Sequence, residues 1–103
     1  MLLIREIMFC KPGKVRAMVE KSLAMTKLME KSGQGKMRVL TDVSSERYWM
    51  CVMEFEIKTM QHFDDMMAGR GMSEADGKEF ENVMKGYHDL VDHGRREIYK
   101  IEG

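Results

Sequence analysis

Apolar residues are spaced in two ways along this chain, and the two spacings separate predicted strands from predicted helices. Segments rich in large and β-branched side chains predict four strands. These strands are Leu2–Cys10, Met37–Val43, Tyr48–Ile57 and Arg95–Glu102. A short polar turn joins the second to the third, which predicts a hairpin.

Between the strands, apolar residues recur at helical spacing. Lys14–Lys31 is the first predicted helix, and Gly33 ends it. The second covers Lys58–Ala68, is interrupted by the sequence "GRG" and resumes after Ser73, whose spacing from Asp76 resembles a helix cap. The resumed part carries an apolar stripe that is expected to run as far as Gly94. The stripe consists of Phe80, Val83, Met84, Tyr87, Leu90 and Val91.

The predicted order is β-α-β-β-α-β, with no linker or internal repeat dividing residues 1–103. This order is typical of the α+β, ferredoxin-like arrangement, in which both helices cover one face of a four-stranded antiparallel sheet. We therefore expect a single domain of this class with a broken second helix.

The third predicted strand is apolar on both sides for half of its length. A strand with one face in water should alternate cleanly between apolar and polar residues. Here Trp49, Cys51 and Met53 alternate with Met50 and Val52. Since the helices cover only one face, we expect two copies to pack sheet against sheet as a homodimeric α+β barrel.

Composition excludes several classes of function. The chain has 17 basic and 17 acidic residues, so it lacks the positive excess on which nucleic-acid binding depends. The opening "MLLIREIMFC" is too short and too interrupted by charge for a signal peptide or a membrane span. Cytoplasmic residence is the expectation. Among the charged residues, basic ones predominate in residues 1–38 and acidic ones in residues 42–93. This imbalance predicts attraction between the first helix and the second.

Sulfur-containing residues give two further expectations. Cys10 and Cys51 have no metal-binding or redox spacing, so we expect two reduced, buried thiols. The 13 methionines are unusual. Packing in the core is the main interpretation, and an adaptable ligand cavity is the alternative. Their scatter over every predicted element argues against a soft-metal site.

The sequence also resembles a known group of proteins. "LLIREIMFCKPGKVRAMVE" resembles the opening of dimeric α+β barrel proteins, closest to NIPSNAP-like and antibiotic-biosynthesis-monooxygenase-like members, and "RREIYKIEG" resembles their closing strand. The resemblance implies a ferredoxin-like fold and dimerisation. It implies no single activity, since the group includes cofactor-free monooxygenases, isomerases and proteins of unknown function.

Polar residues on the predicted strands and helices are the candidate site residues. A buried carboxylate or a histidine could remove a proton from a substrate, so Glu54, Glu56 and His62 are the catalytic candidates. Arg5 or Glu6, together with Arg38 and Asp42, also fall on strands or at their ends. The alternative to a role in a site is that these charged residues form structural ion pairs, such as Arg38 with Glu54. The candidate ligand-binding residues are Arg5, Arg38, Trp49, Phe55, Tyr87 and Tyr99.

These features predict a protein that binds a small, largely apolar or aromatic molecule in a cavity between sheet and helices. Two alternatives stay open. One is a cofactor-independent monooxygenase or isomerase acting on a phenolic, quinol or lactone substrate. The other is a non-catalytic structural dimer. No cofactor or metal site is expected, because no phosphate-binding loop, catalytic triad or zinc spacing occurs.

Overall fold

The computed structural model describes all residues of the chain, Met1–Gly103, as one four-stranded sheet with helices on one side. The strands are β1 (Leu2–Cys10), β2 (Met37–Thr41), β3 (Met50–Ile57) and β4 (Val91–Lys100). The helices are α1 (Val15–Lys31), α2 (Met60–Met67) and α3 (Glu74–Met84), with a 3-10 turn at Tyr87–Asp89. The strand order is β2-β3-β1-β4, and every neighbouring pair is antiparallel. The predicted α+β, ferredoxin-like fold with a broken second helix is confirmed.

The helix caps agree with the sequence signals. Ser73 precedes α3, and its hydroxyl accepts a hydrogen bond from the backbone N–H of Asp76 at 3.1 Å. Thr59 caps α2 in the same way through the N–H of His62. Gly33 follows α1 with a φ of 77°, a left-handed conformation that costs glycine little.

Several predicted boundaries are wrong, including those of the last strand, which covers Val91–Lys100 rather than Arg95–Glu102. The helix does not reach Gly94, because Gly86 adopts a φ of 84° and the chain turns into β4 at Val91. The third strand begins at Met50 rather than Tyr48, since Trp49 has a φ of 67° that no strand residue adopts. The second strand ends at Thr41, before Val43.

The charge asymmetry has the predicted structural result. Lys31 at the end of α1 lies 3.2 Å from Glu79 and 3.9 Å from Asp76, both on α3. Lys21 of α1 donates to the backbone carbonyls of Val83 and Lys85 near the end of α3. These contacts attach α3 to α1 and leave a space between α3 and the sheet.

Both cysteines are free and buried, as predicted. They belong to one apolar cluster with Met18 and Val19 of α1. Burial, together with the nearby Cys51 and Asp42, raises the pKa of Cys10 to about 11. Burial also raises the pKa of Cys51, although a contact with the Ser22 hydroxyl works in the opposite direction. Both groups are therefore neutral thiols near pH 7.

The side of the sheet opposite the helices, here called the outer face, is only partly bare. Ile7, Phe9, Met50 and Val52 form a buried cluster on it. The segment 42–49 folds over this cluster, with the Arg47 guanidinium 5.0 Å from the Phe9 ring centroid and Glu46 paired with Arg95 at 2.7 Å. One copy of the chain thus shelters half of the face that sequence reasoning assigned wholly to a partner.

Gly94 lies in β4 opposite Met8, and its missing side chain is a packing requirement. A Cβ built there would lie 3.1 Å from the Ile7 carbonyl oxygen and 3.1 Å from the Met8 sulfur. Because the carbonyl belongs to the backbone, Gly94→Ala is expected to lower the free energy of unfolding by about 1–3 kcal/mol.

Gly77 is the matched control, because it lies inside α3 and a Cβ added there would have no neighbouring atom within 4 Å. Gly77→Ala should raise the free energy of unfolding by about 1 kcal/mol. Urea denaturation measures both changes. Equal effects in the two variants would contradict the close approach at Gly94.

Candidate functional site

A cavity of about 290 Å³ lies between the helix-facing side of the sheet and the helices. Its wall has 15 residues, of which 12 are hydrophobic. Strand alternation brings Met8, Met53 and Phe55 to this side, and α1 and α3 supply the opposite wall. Sheet, helices and the segment after α2 all contribute, so the cavity exists within one copy of the chain.

Nine of the 13 methionines line this cavity. They are Met8, Met25, Met29, Met37, Met53, Met66, Met67, Met72 and Met84. The other hydrophobic lining residues are Phe55, Phe80 and Tyr87. No Leu, Ile or Val lines the cavity, although the chain contains 6 Leu, 5 Ile and 7 Val. Residues scattered along the sequence therefore converge on one surface made of thioethers and aromatic rings.

The charged part of the wall is an ion pair across neighbouring strands, and Gln34, in the connection after α1, is the remaining polar lining residue. Glu6 of β1 lies opposite Arg96 of β4, and their side chains form a salt bridge. The Arg96 guanidinium also lies 4.9 Å from the Phe63 ring centroid, and its Nη2 is 3.8 Å from the Met67 sulfur. These contacts hold one cation and one anion side by side at the edge of an apolar space.

Met67 marks where the cavity meets solvent. Its side chain lines the cavity and is nevertheless 55 % exposed. The four most deeply placed lining methionines are buried: Met25, Met29, Met37 and Met53. The cavity therefore runs from a sulfur-rich interior to an edge formed by Met67 and Arg96.

The predicted ligand-binding residues divide between two sides of the sheet. Phe55 and Tyr87 line the cavity. Arg5, Arg38 and Tyr99 instead lie on the outer face, where strand register places them. Trp49 lies in the segment before β3 and borders a shallow hollow there. The structure therefore brings only two of these six side chains together in the cavity.

The three catalytic candidates all lie outside the cavity. Glu54 and Glu56 are on the outer face, Glu54 buried and Glu56 exposed. His62 is on α2 beside a surface hollow that it shares with Asp65 and Arg70. Hydrogen bonds from Arg70 and Gln61 lower the pKa of Asp65. Glu54 and Glu56 share a hollow with Arg38 on the outer face, whereas His62 lies apart from them. Their catalytic role stays a prediction.

Glu54 belongs to a row of charges that crosses the outer face. Register pairs Arg38 with Glu54, Glu54 with Arg5, and Arg5 with Glu97, one residue from each strand. Glu54 forms salt bridges with Arg38 and, at 3.3 Å, with the buried Nε of Arg5. Arg5 Nη1 lies 3.5 Å from Glu97. The structural ion pair considered from the sequence is present.

Sequence reasoning missed two features of the cavity. Arg96 is not among the residues that the sequence predicts for a site, and Glu6 enters there only as an alternative to Arg5. Arg5 and Glu6 are adjacent in β1, so their side chains lie on opposite faces of the sheet. Knowing which face of β1 meets the helices would therefore have identified Glu6 as the cavity residue. The abundance of methionine was the remaining signal, but its convergence requires the tertiary structure.

No three His, Cys, Asp or Glu side chains converge to hold a metal ion. None of the helices combines the length and hydrophobicity that crossing a membrane requires. No protein-family model and no curated protein matches the chain by sequence.

Solved structures do match it. An uncharacterised NIPSNAP domain protein from Burkholderia xenovorans superposes with a TM-score of 0.77 at 11% identity, over 98% of this chain and 94% of that one. A proposed antibiotic biosynthesis monooxygenase from Deinococcus radiodurans gives 0.68 at 7% identity, over 100% and 94%. Another from Nitrosomonas europaea gives 0.64 at 16% identity, over 100% of both chains.

The chain has a NIPSNAP-like fold. The resemblance seen in the first and last strands is thus confirmed for the fold, and identities this low show the fold alone. Within the NIPSNAP-like fold, the methionine-lined cavity and its Glu6–Arg96 pair are features of this chain's own side chains.

The charge row predicts a structural role for Glu54. Glu54→Gln should lower the free energy of unfolding by about 1–3 kcal/mol, because it removes the negative charge that lies 3.3 Å from the buried Nε of Arg5. Glu56→Gln, two residues away on the same face but exposed, should change it by less than about 0.5 kcal/mol. Thermal and urea denaturation measure both, and an unchanged stability in Glu54→Gln would contradict the structural role.

Proposed function

We propose that this protein binds a small, largely apolar molecule carrying one polar group in the methionine-lined cavity. The observation that carries the proposal is the 290 Å³ space, walled by nine methionines and three aromatic residues beside one ion pair. An apolar cavity with a few convergent polar groups is the usual form of a small-molecule site.

The size of the cavity limits the ligand. An apolar cavity of about 150 Å³ is sufficient for benzene. A space of about 290 Å³ therefore suits a two-ring molecule or a short branched chain. Methionine side chains are flexible and polarizable, so this wall can adjust to the shape of its ligand and make favourable contacts with aromatic rings.

The polar group of the ligand is expected at the Glu6–Arg96 pair. Arg96 donates hydrogen bonds and Glu6 accepts them. A hydroxyl or carbonyl placed there would find a partner, which offsets the cost of removing it from water. A purely aliphatic ligand would gain binding free energy only from the burial of its surface and would make no hydrogen bond to Glu6 or Arg96.

A second candidate function is a cofactor-independent monooxygenase or isomerase. Two structures with this fold are described as proposed antibiotic biosynthesis monooxygenases. In this chain Glu6 is the carboxylate on the cavity wall, and it is the group placed to accept a proton from a bound phenolic or carbonyl substrate. Turnover lost in Glu6→Gln but retained in Glu54→Gln, Glu56→Gln and His62→Ala would support this function.

We also propose that two copies associate through the outer face. Leu40 and Tyr99 are exposed there, next to the row of charges. They lie on the two edge strands, on either side of the row of charges, and exposed apolar residues on a sheet face are typical of an interface. This association is independent of the cavity, which one copy forms alone.

Filling the cavity should abolish binding. Met72 lies between α2 and α3 and lines the space, so Met72→Trp is expected to weaken the binding of 2-naphthol at least about tenfold. Met60→Trp, an exposed position outside the cavity, should leave the affinity unchanged. Fluorescence titration measures both affinities, and native mass spectrometry of the purified protein reports any retained molecule. Equal affinities in the two variants would contradict the site.

The outer face predicts a self-associating protein. Sedimentation velocity at low micromolar concentration should show a dimer that Tyr99→Lys shifts toward single copies. Leu23→Lys, which changes an exposed apolar residue of α1 instead, should leave the dimer intact. A single-copy wild-type protein would contradict the association and leave the cavity unaffected.

A further inference from the structure

We propose that Met67 is an oxidation site through which hydroperoxides reduce ligand binding in the cavity. The proposal rests on the proposed function, since it concerns regulation of the same site. It is argued from the position of this one sulfur at the edge of the cavity, where it is exposed and in contact with Arg96.

Exposure distinguishes Met67 from the other lining methionines. A thioether reacts with a hydroperoxide only when the oxidant can reach its sulfur. Met67 is 55 % exposed, and each of the other eight is half-buried or buried. The outermost thioether of the wall is therefore the first that a dissolved oxidant meets.

The reaction balances without a bound cofactor. The Met67 sulfur attacks one oxygen of hydrogen peroxide, the O–O bond breaks, an S–O bond forms, and the proton of the transferred oxygen passes to the leaving hydroxide to give water. The sulfur loses two electrons and becomes a sulfoxide, while the peroxide is reduced to water. Methionine sulfoxide reductases reverse the change.

The contact with Arg96 gives the oxidation a local consequence. A thioether sulfur is a weak acceptor, and here it lies 3.8 Å from Arg96 Nη2. A sulfoxide oxygen at this place is a polar acceptor beside a guanidinium that already pairs with Glu6. The oxidised side chain competes with Glu6 for Arg96 and adds a polar group to an apolar wall.

Ligand binding should fall as a result. The sulfoxide oxygen takes the Arg96 donor at which the polar group of the ligand is expected, and the part of it that the apolar rings of the ligand cover loses its contact with water. We expect about a tenfold loss of affinity for 2-naphthol after oxidation.

Met60 provides a matched control. It lies on the same helix, is 45 % exposed and does not line the cavity. The experiment treats wild-type protein, Met60→Leu and Met67→Leu with dilute hydrogen peroxide, and locates the sulfoxides by peptide mass spectrometry. The affinity for 2-naphthol is measured for each protein before and after treatment, and again after incubation with methionine sulfoxide reductases.

We expect wild type and Met60→Leu to lose affinity for 2-naphthol reversibly on oxidation. In Met67→Leu the affinities of the oxidised and the reduced protein should be nearly equal. A second readout needs no ligand: the side-chain Nε–H resonance of Arg96 should shift on oxidation in Met60→Leu and stay in place in Met67→Leu. Loss of affinity in oxidised Met67→Leu, or a Met67 that resists peroxide while Met60 reacts, would overturn the proposal. Absence of 2-naphthol binding by the reduced protein would count against the proposed function, and the Arg96 resonance would still decide the oxidation site.

Discussion

The antiparallel register of β1 with its two neighbours decides which side chains face the helices and which lie on the outer face. Arg5 and Glu6 are adjacent in sequence, so alternation sends them to opposite sides of the sheet. On one side Arg5 meets Glu54 and Glu97, and on the other Glu6 meets Arg96. A slip of one residue would exchange the two sides and place the charge row among the methionines.

This register gives the sheet two different surfaces. The outer face carries charges in rows and is partly covered by the segment 42–49. The helix-facing side carries the methionines and leaves a space that α3 does not fill, because Lys21 and Lys31 attach α3 to α1 rather than to the sheet. The cavity is thus a consequence of where the helices are held, and its wall is a consequence of strand alternation.

Sequence periodicity was sufficient for the order of elements and for the broken second helix, because both follow from short-range patterns. It failed where single residues turn the chain, at Gly86 and Trp49. Periodicity also did not predict that the segment 42–49 folds over Phe9, since the path of a polar loop leaves no periodic signal. Phe55 and Tyr87 are predicted as ligand-binding residues and do line the cavity. For Glu54 the sequence leaves two roles open, a candidate base and an ion-pair partner of Arg38, and only the register of the strands shows that it belongs to the charge row. The nine methionines come from six helices and strands and one connection, so their convergence depends on tertiary contacts that no local pattern encodes.

If the methionine-lined cavity is a binding site, NMR of protein labelled with [¹³C-methyl]methionine will detect the bound ligand at the methyl groups of its wall. Titration with 2-naphthol should shift the methyl resonances of cavity residues such as Met25, Met53 and Met84, while those of Met18, Met50 and Met60 stay in place. Shifts confined to Met50 and Met60, or none at saturating ligand, would contradict the account.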